Sequence, residues 1–311
     1  MTALAVGIIT YKRPDSLKRL LAGLAAQAFP AGAAVPFTLV VIDNDSAASG
    51  RAVCDEARGQ LGLSITYVVE PLQGIPQARN RVLDTLPDGC EWLAWIDDDE
   101  SPASGWLHAL VSLQKETEAD IVLGVVEAVL PEKAPLWIGK GGFFNRRRFV
   151  DRATLSEGAT NNCLMKVNSL KAINLRFDEK MRFMGGSDTL FFRQAAAKGL
   201  RMVWSPIAVV QEFIPMERCS LRWLMRRNFR AGTTLALCDM QIDGIIGWLR
   251  RFWYALLKLF QGLLNLPIGF EGMHELAKSL LMFARGAGML AGLFGVRYEE
   301  YAPNRVITAA G

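Results

Sequence analysis

Four consecutive acidic residues directly follow the apolar run WLAWI: Asp97, Asp98, Asp99 and Glu100. Carboxylates this close raise one another's pKa unless a positive charge lies between them. A divalent cation removes the conflict, because Mg²⁺ or Mn²⁺ typically binds one or two carboxylates together with phosphate oxygens of a substrate. Alternate residues at a strand end can point the same way, so Asp97 and Asp99 can converge on one ion. The pattern indicates a D-x-D metal site, although a solvated acidic turn before the helix that starts near Ser104 would also explain Asp99 or Glu100.

Polar residues also follow the three strands that the sequence predicts before this one. They are Thr10, Tyr11, Lys12 and Arg13 after the first strand, Asp43 to Ser46 after the second, and Gly74 to Asn80 after the third. A carboxylate at Asp43 is suited to hydrogen bonds with a nucleotide base or ribose, and an Asx turn that closes the strand is the alternative. Because ligands of such sheets bind beyond the carboxyl ends of the strands, we expect all these groups to line one crevice.

Several other catalytic arrangements are absent from the sequence. No G-x-x-x-x-G-K-[ST] or G-x-G-x-x-G motif follows a predicted strand, which excludes P-loop and dinucleotide sites. The aspartate triplet lies mid-chain and lacks the threonine or valine that follows the D-x-D of phosphatases with an aspartate nucleophile. His108 and His274 are the only histidines. Catalysis therefore has to rely on carboxylates.

Short apolar runs alternate with helical patterns through residues 1 to about 125. Continuous apolar strands separated by single helices predict an α/β, Rossmann-like fold: a mostly parallel sheet with helices on both faces. The less regular stretch from about 130 to 215 is expected to continue this domain on the acceptor side. We therefore predict a catalytic domain over residues 1–216 and a separate helical region over 217–311.

The predicted C-terminal region is rich in Arg, Trp, Leu and Phe. Charged residues interrupt its apolar runs, so none reaches the ~18–20 clean residues of a membrane-spanning helix. Basic residues interspersed with Trp and Phe at helical spacing are typical of amphipathic helices that lie in a membrane interface. An ordinary helical cap, packed on the catalytic domain, is the alternative.

Composition narrows the class of protein. With 311 residues, of which 51% are hydrophobic, the chain is suited to a large folded domain and is neither disordered nor fibrous. Its 35 basic and 31 acidic residues give a net charge of only +4, which does not suggest a nucleic-acid partner. Five cysteines without a C-x-x-C pair favour a reducing compartment over a disulfide framework or a zinc site. The N-terminal sequence has the pattern of a core strand rather than a signal peptide, so we expect a cytoplasmic catalytic part.

Five motifs occur in the order found in one enzyme family: GIITYKRPDSLKRLLAGL, VVIDNDS, GIPQARN, AWIDDDE and MGGSDTLFFRQ. They resemble those of glycosyltransferase family 2. The resemblance covers about residues 4–215 and implies the GT-A fold, a nucleotide-diphospho-sugar donor and an inverting transfer. The segments NNCLMK, GGSDTLFFR and GLFGVRYEEY look most similar to bacterial enzymes that extend exopolysaccharide or other glycolipid-linked chains, such as those of succinoglycan assembly.

The resemblance implies a role for each matching residue. Residues at the strand ends would bind the nucleotide-sugar: Thr10, Tyr11, Arg13, Asp43, Arg79, Asp97 and Asp98. Asp99, together with Asp97, would hold Mg²⁺ or Mn²⁺. Asp188 would act as the general base, and its place before a helical run also suits an N-cap. The two roles are compatible, because a helix N-terminus favours the ionised carboxylate that a base requires.

The processive members of the family carry a Q-x-x-R-W motif that this chain lacks, which favours addition of a single sugar. Four arginines could meet a lipid-linked diphosphate or anionic headgroups, or could form a solvated basic face: Arg222, Arg226, Arg227 and Arg230.

We expect a UDP- or GDP-sugar donor and a lipid-linked saccharide or other glycolipid acceptor. Attachment through C-terminal helices, peripheral or monotopic, would place the enzyme on the cytoplasmic face of a bacterial inner membrane. Two alternatives remain open: a sugar-nucleotide pyrophosphorylase-like nucleotidyltransferase, and a non-catalytic, membrane-bound assembly partner with the same fold. The sequence indicates neither the sugar transferred nor the oligomeric state.

Overall fold

The structure, a computed structural model, describes residues 4–266 and 272–300, which pack as two units. The first unit comprises the described residues up to Val129 together with Arg146–Arg182 and Asp188–Phe213. The second comprises Leu130–Asn145, Phe183–Ser187 and the described residues from Ile214 onward. The last and longest segment of the second unit begins at Ile214, and the domain boundary after residue 216 stays a prediction. The second unit also takes up two segments that the sequence pattern assigns to the first domain.

The elements follow the predicted alternation of strands and helices. The strands are β1 (Leu4–Thr10), β2 (Phe37–Asp43), β3 (Ile65–Val69), β4 (Trp92–Ile96), β5 (Glu100–Pro102), β6 (Ile121–Val129), β7 (Thr154–Leu155), β8 (Asn162–Lys166) and β9 (Met202–Phe213). The helices are α1 (Pro14–Ala25), α2 (Arg51–Leu61), α3 (Ile75–Asp84), α4 (Trp106–Thr117), α5 (Leu136–Gly141), α6 (Val167–Ala172), α7 (Ser187–Ala197), α8 (Leu221–Leu264) and α9 (Met273–Leu293).

The first unit is built on one sheet. Among the described residues this sheet has nine strands, in the order β3-β2-β1-β4-β8-β6-β9-β5, with β7 paired to β9. The strands from β3 to β4 are parallel, as the alternation of apolar runs and helices predicts. Beyond β4 the sheet is mixed, because β8 is antiparallel to both β4 and β6 while β6 and β9 are parallel. The α/β class is confirmed, and the parallel arrangement is confined to the first four strands and the β6–β9 pair.

Two apolar cores cover the faces of this sheet. Leu4, Val6 and Ile8 of β1 pack with α1, α2 and α4 on one face, and Ala5 packs with α3, α6 and α7 on the other. The alternation follows from the two-residue period of a strand. The chain forms β1, β2 and β3 outward in one direction and then crosses back to place β4 on the other side of β1. Sheets of this type bind ligands at such a reversal of strand order.

The described part of the second unit is helical, and its longest helix, α8, is broken. Gly244 has φ 56° and ψ −131°, which is not a helical conformation. Across this break Arg251 Nε lies 2.8 Å from Asp239 Oδ2. In an unbroken helix, residues 12 positions apart would be separated by about 18 Å along the axis. The chain therefore turns back on itself at Gly244.

Glycines allow α9 to contact both halves of α8. A Cβ on Gly288 would lie 2.0 Å from the carbonyl oxygen of Phe229 in the first half. A Cβ on Gly286 would lie 2.9 Å from the carbonyl oxygen of Ala255 in the second half. Among the described residues, α9 is the one helix long and apolar enough to cross a membrane, and 44% of its most apolar window is buried. The core helix of a soluble protein meets the same criterion.

Candidate active site

The carboxyl ends of β1 and β4 bring Thr10, Arg13 and the aspartate triplet together. The register that aligns Gly7 with Trp95 brings Thr10 level with Asp98. Thr10 Oγ1 donates to Asp98 Oδ2 at 2.8 Å, and Arg13 Nη1 donates to Asp98 Oδ1 at 3.2 Å. Arg13 Nη1 also lies 3.0 Å from Oδ2 of Asp99, the third aspartate. The buried Asp98 carboxylate therefore ties β4 to the loop after β1.

Asp97 differs from its neighbours because its carboxylate accepts no hydrogen bond among the described residues. Burial raises the pKa of Asp97 to about 7, and the nearby carboxylates of Asp99, Asp98 and Asp188 act in the same direction. The charge of Arg79 opposes this shift. Asp97 is thus a half-buried acid that forms no ion pair within the described part of the chain, and it is close enough to Asp188 for the two charges to interact.

Glu100, the fourth acidic residue, belongs to a buried network that the sequence analysis missed. Its carboxylate accepts hydrogen bonds from the Asp97 amide at 3.0 Å and from Asn161 Nδ2 at 2.7 Å. Arg146 donates to Asn161 Oδ1 at 3.2 Å and to Glu212 Oε2 at 2.8 Å. Burial raises the pKa of Glu100 well above its usual value. The network fixes the backbone of Asp97, and its only sequence signal is an asparagine directly before the apolar strand β8.

Asp43 ends β2 and is fully buried, with an exposed fraction of 0%. Its carboxylate accepts hydrogen bonds from the Asp45 amide at 3.0 Å, the Gly50 amide at 2.7 Å and the Tyr67 hydroxyl at 2.6 Å. The bond from Asp45 is the Asx-type turn considered as the alternative for this position. Asp43 therefore organises the turn after β2, and its contact with a nucleotide stays a prediction.

Replacing Tyr67 with phenylalanine is expected to lower the free energy of unfolding by about 1.5–3 kcal/mol, because a buried carboxylate loses a hydrogen-bond donor. Burial and the bond to Asp43 also raise the pKa of the Tyr67 hydroxyl, so it remains a donor at neutral pH. Urea unfolding would measure the change. Tyr11→Phe is the matched control, since Tyr11 is 40% exposed and the same change there should fall within about 0.5 kcal/mol. Equal stability of the two variants would contradict the role assigned to Tyr67.

The loop before α3 is held by Asn44, and α3 carries Arg79, whose charge acts on Asp97. Asn44 Oδ1 accepts from the Gly74 amide at 2.7 Å, and its Nδ2 donates to two carbonyl oxygens of the same loop. The guanidinium of the buried Arg79 lies 5.4 Å from the centre of the Phe177 ring. Asn44 was not singled out from sequence, although it directly follows the predicted site residue Asp43.

Asp188 lies in the first turn of α7 and accepts a hydrogen bond from the Thr189 amide to Oδ1 at 2.8 Å. The residues directly before it pack within the second unit, where Thr234 Oγ1 donates to the Gly185 carbonyl at 2.8 Å. Gly186 has a φ of 93°, which disfavours any residue with a side chain.

Comparison with known proteins decides the family. The family model described as glycosyl transferase family 2 matches residues 5–174. The chain is also 32% identical, over 309 residues, to the succinoglycan biosynthesis protein ExoM of Rhizobium meliloti (strain 1021), covering 98% of this chain and 97% of that protein. The chain belongs to glycosyl transferase family 2. It is therefore a glycosyltransferase, and the nucleotidyltransferase and non-catalytic alternatives are set aside.

Solved structures share the fold of this family 2 glycosyltransferase. Mannosyltransferase PcManGT from Pyrobaculum calidifontis, in complex with GDP-Man and Mn²⁺, has a TM-score of 0.62 and 16% identity, covering 94% of this chain and 87% of that chain. S. aureus TarS 1-349, in complex with UDP-GlcNAc, has a TM-score of 0.55 and 14% identity, covering 95% and 93%. A longer TarS chain is covered over 55% of its length. The predicted GT-A fold is confirmed.

The acidic cluster of the glycosyltransferase fits a divalent cation bound jointly with phosphate. The described residues contain no group of three or more His, Cys, Asp and Glu side chains that could hold a metal ion. They do supply the unpaired carboxylate of Asp97 and the partly exposed carboxylate of Asp99, which suffices for an ion that takes its other ligands from phosphates and water. Metal binding by these two residues stays a prediction.

The four arginines predicted to meet an acceptor phosphate divide into two pairs. Arg222 and Arg226 are exposed and lie one helical turn apart on α8. The guanidinium of Arg227 lies 5.3 Å from the centre of the Trp223 ring, and that of Arg230 pairs with Glu300 at 2.5 Å. Arg227 and Arg230 therefore help to pack the second unit. Their role toward an acceptor, like that of Arg222 and Arg226, stays a prediction.

Proposed function

We propose that this glycosyltransferase moves one sugar, with inversion, from a UDP- or GDP-sugar to a lipid-linked saccharide or other glycolipid during exopolysaccharide synthesis. The observation that carries the proposal is the half-buried carboxylate of Asp97, which follows β4 at the reversal of strand order, accepts no hydrogen bond from the described residues and is close enough to Asp188 for their charges to interact. The chain's likeness to ExoM supports the pathway class. The donors bound in PcManGT and TarS support a nucleotide-sugar.

Inversion needs a base on one side of the anomeric carbon and charge stabilisation on the other. Asp188 is proposed to accept the proton of the acceptor hydroxyl, while the acceptor oxygen bonds to the anomeric carbon and the bond to the diphosphate breaks. Asp97 and Asp188 interact without sharing a hydrogen bond, which suits two carboxylates with separate tasks.

Strand-end residues are proposed to bind the donor. The buried guanidinium of Arg79 lies near Asp97 and would carry positive charge toward the diphosphate. Tyr11, Arg13 and Thr10 would border the nucleotide, with Thr10 and Arg13 fixed by Asp98. When bound between Asp97, Asp99 and the donor, Mg²⁺ or Mn²⁺ would neutralise charge that develops on the leaving diphosphate.

The second unit is proposed to hold the enzyme on the cytoplasmic face of the inner membrane. Large apolar side chains are exposed along the second half of α8, including Ile245, Trp253 and Phe260. A lipid-linked acceptor would be reached at that surface. Attachment would be peripheral or monotopic, as for helices that lie in a membrane interface.

A donor panel tests the proposed function. Detergent-solubilised protein would be incubated with Mg²⁺ or Mn²⁺ and with individual UDP- and GDP-sugars, and release of UDP or GDP measured. We expect slow, metal-dependent hydrolysis of one donor, which would identify nucleotide and sugar together. If no donor is hydrolysed and none binds in a metal-dependent way, the proposal is refuted.

A further inference from the structure

One face of the second half of α8 exposes a continuous row of large apolar side chains. This apolar stripe consists of Ile245, Ile246, Leu249, Trp253, Leu256, Leu257, Phe260, Leu263 and Leu264. Their exposed fractions range from 36% to 71%. Because they recur every three or four residues, they lie along one side of a helix about 30 Å long. Soluble surfaces rarely leave so long an apolar row in water.

The opposite face of the same half-helix packs on α9, where Trp248 Nε1 donates to the Leu293 carbonyl and Leu259 lies against Gly286. Gly247, Ala255 and Gly262 are its buried positions. A Cβ on Gly262 would lie 3.0 Å from Phe283 Cβ of α9, so the two helices are already in close contact there. A helix of a soluble protein normally turns its large apolar side chains inward. Here the inner face already packs on α9 while a row of large apolar side chains faces outward, which is the arrangement expected of a helix with an apolar environment on its outer side.

The charged residues within the stripe segment are all positive, and two of them are paired with aspartates that precede it: Arg250 with Asp243 and Arg251 with Asp239. From Ile245 to Leu266 the chain carries Arg250, Arg251 and Lys258 and no acidic residue. Arg251 forms an ion pair with Asp239 across the break at Gly244, and this pair holds the two halves of α8 together. Cations next to an exposed apolar face complement the negative headgroups of anionic lipids, and an exposed tryptophan suits the interface between headgroups and acyl chains.

We propose that the apolar stripe docks on a bilayer surface that contains anionic phospholipid, with the second half of α8 lying in the plane of the interface and α9 not crossing it. This proposal rests on the proposed function in one respect: the enzyme's acceptor is taken to be a lipid-linked saccharide or other glycolipid. Helix α9 contacts both halves of α8 through Gly286 and Gly288, so it is the central helix of the second unit. With the second half of α8 in the plane of the interface, α9 could cross the bilayer only if its contact with Ala255 were broken.

Vesicle flotation tests the docking surface. Full-length protein would be mixed with sealed vesicles of zwitterionic phospholipid, with and without anionic phospholipid. The stripe variant carries Leu249→Ser, Trp253→Ser and Phe260→Ser, at positions exposed by 49%, 67% and 59%. Its partitioning onto anionic vesicles should fall roughly 100-fold, given the transfer free energy of three partly buried side chains.

The matched control changes three apolar residues elsewhere, each more exposed than those of the stripe variant, to serine: Leu136, Val150 and Ile207. It should partition like wild type, and wild type should prefer anionic vesicles. Equal loss in both triple variants would overturn the proposal. So would a wild type that forms a defined dimer, dissociated by the stripe substitutions, and binds no vesicles, because the stripe would then be a contact between two copies.

Labelling of the two ends of α9 tests whether this helix crosses the bilayer. The five native cysteines are buried, so a cysteine introduced at Met273 or Val296 can be labelled selectively. A membrane-impermeant maleimide added outside sealed vesicles should label both variants. Labelling of one end alone would show a spanning α9 and overturn the proposal.

Donor hydrolysis in detergent separates this inference from the proposed function. The stripe variant should hydrolyse its donor at the wild-type rate in detergent, because none of its substitutions lies at the strand-end site. Vesicle docking without hydrolysis of any donor would refute the proposed function and leave the docking surface standing. Donor hydrolysis without vesicle docking would refute the docking surface and leave the proposed function standing.

Discussion

Replacing Asp188 with asparagine is expected to lower the rate of sugar transfer about 100- to 10,000-fold, the contribution typical of a general base. Asparagine keeps the shape of the side chain but accepts no proton from the acceptor hydroxyl. The amide oxygen of asparagine can still accept the hydrogen bond from Thr189, so the fold and the affinity for donor should be retained. The measurement is the transfer rate at saturating donor, with the donor Kd determined by calorimetry.

The control for this variant is Asp88→Asn. Asp88 is exposed and precedes the amino end of β4, at the opposite edge of the sheet from the site. The same loss of one carboxylate there should leave the transfer rate unchanged. A folded Asp188→Asn enzyme that transfers sugar at a rate near that of wild type would show that the base assignment is wrong.

Replacing Asp97 with asparagine is expected to weaken the binding of the metal ion that supports donor binding and to lower transfer by about 100-fold or more. The neutral amide is a poor substitute for a carboxylate as a ligand of Mg²⁺ or Mn²⁺. The concentration of metal that gives half-maximal donor binding should rise at least about tenfold, and a metal titration of donor binding would measure it. Asp88→Asn again serves as control, and an unchanged titration in the Asp97 variant would exclude Asp97 as a ligand.

The pH dependence of stability gives a second readout for Asp97. Its pKa is raised from 3.8 to about 7 in the folded protein, so the folded state holds the proton more tightly than the unfolded chain does. Without metal, wild type should therefore lose stability as pH rises from about 4 to about 7. Asp97→Asn lacks this loss, so its melting temperature relative to wild type should be higher at pH 8 than at pH 5. Thermal unfolding in a chelator at both pH values measures the difference, and a pH-independent difference would contradict the assigned shift.

The strand-end motifs were readable from sequence because they depend on local order. An apolar run followed by polar residues predicts both a buried strand and where it ends. Parallel strands then bring those ends to one edge whatever the details of packing. The meeting of Thr10 with Asp98 across 88 positions of sequence is a direct consequence of that rule.

The division of labour among the acids could not be read from sequence. Asp97, Asp98 and Asp99 are chemically identical and adjacent, and their spacing alone leaves both a metal site and a solvated turn possible. The tertiary structure distinguishes them. Arg13, from the loop after β1, donates a hydrogen bond to Asp98, whereas Asp97 is half-buried and accepts no hydrogen bond from the described residues. Partners distant in sequence, such as Arg146, left no local pattern to detect.

The second unit shows the same contrast. The sequence by itself determined that its helices are apolar and basic, because composition and helical spacing are local properties. Only the tertiary structure decided which face of each helix is buried. The chain reverses at Gly244 and packs on α9 through glycines, and this arrangement leaves Trp253 and Phe260 exposed. A hydrophobic pattern records how much apolar surface a helix has, and burial of that surface depends on neighbours that are brought together only by folding.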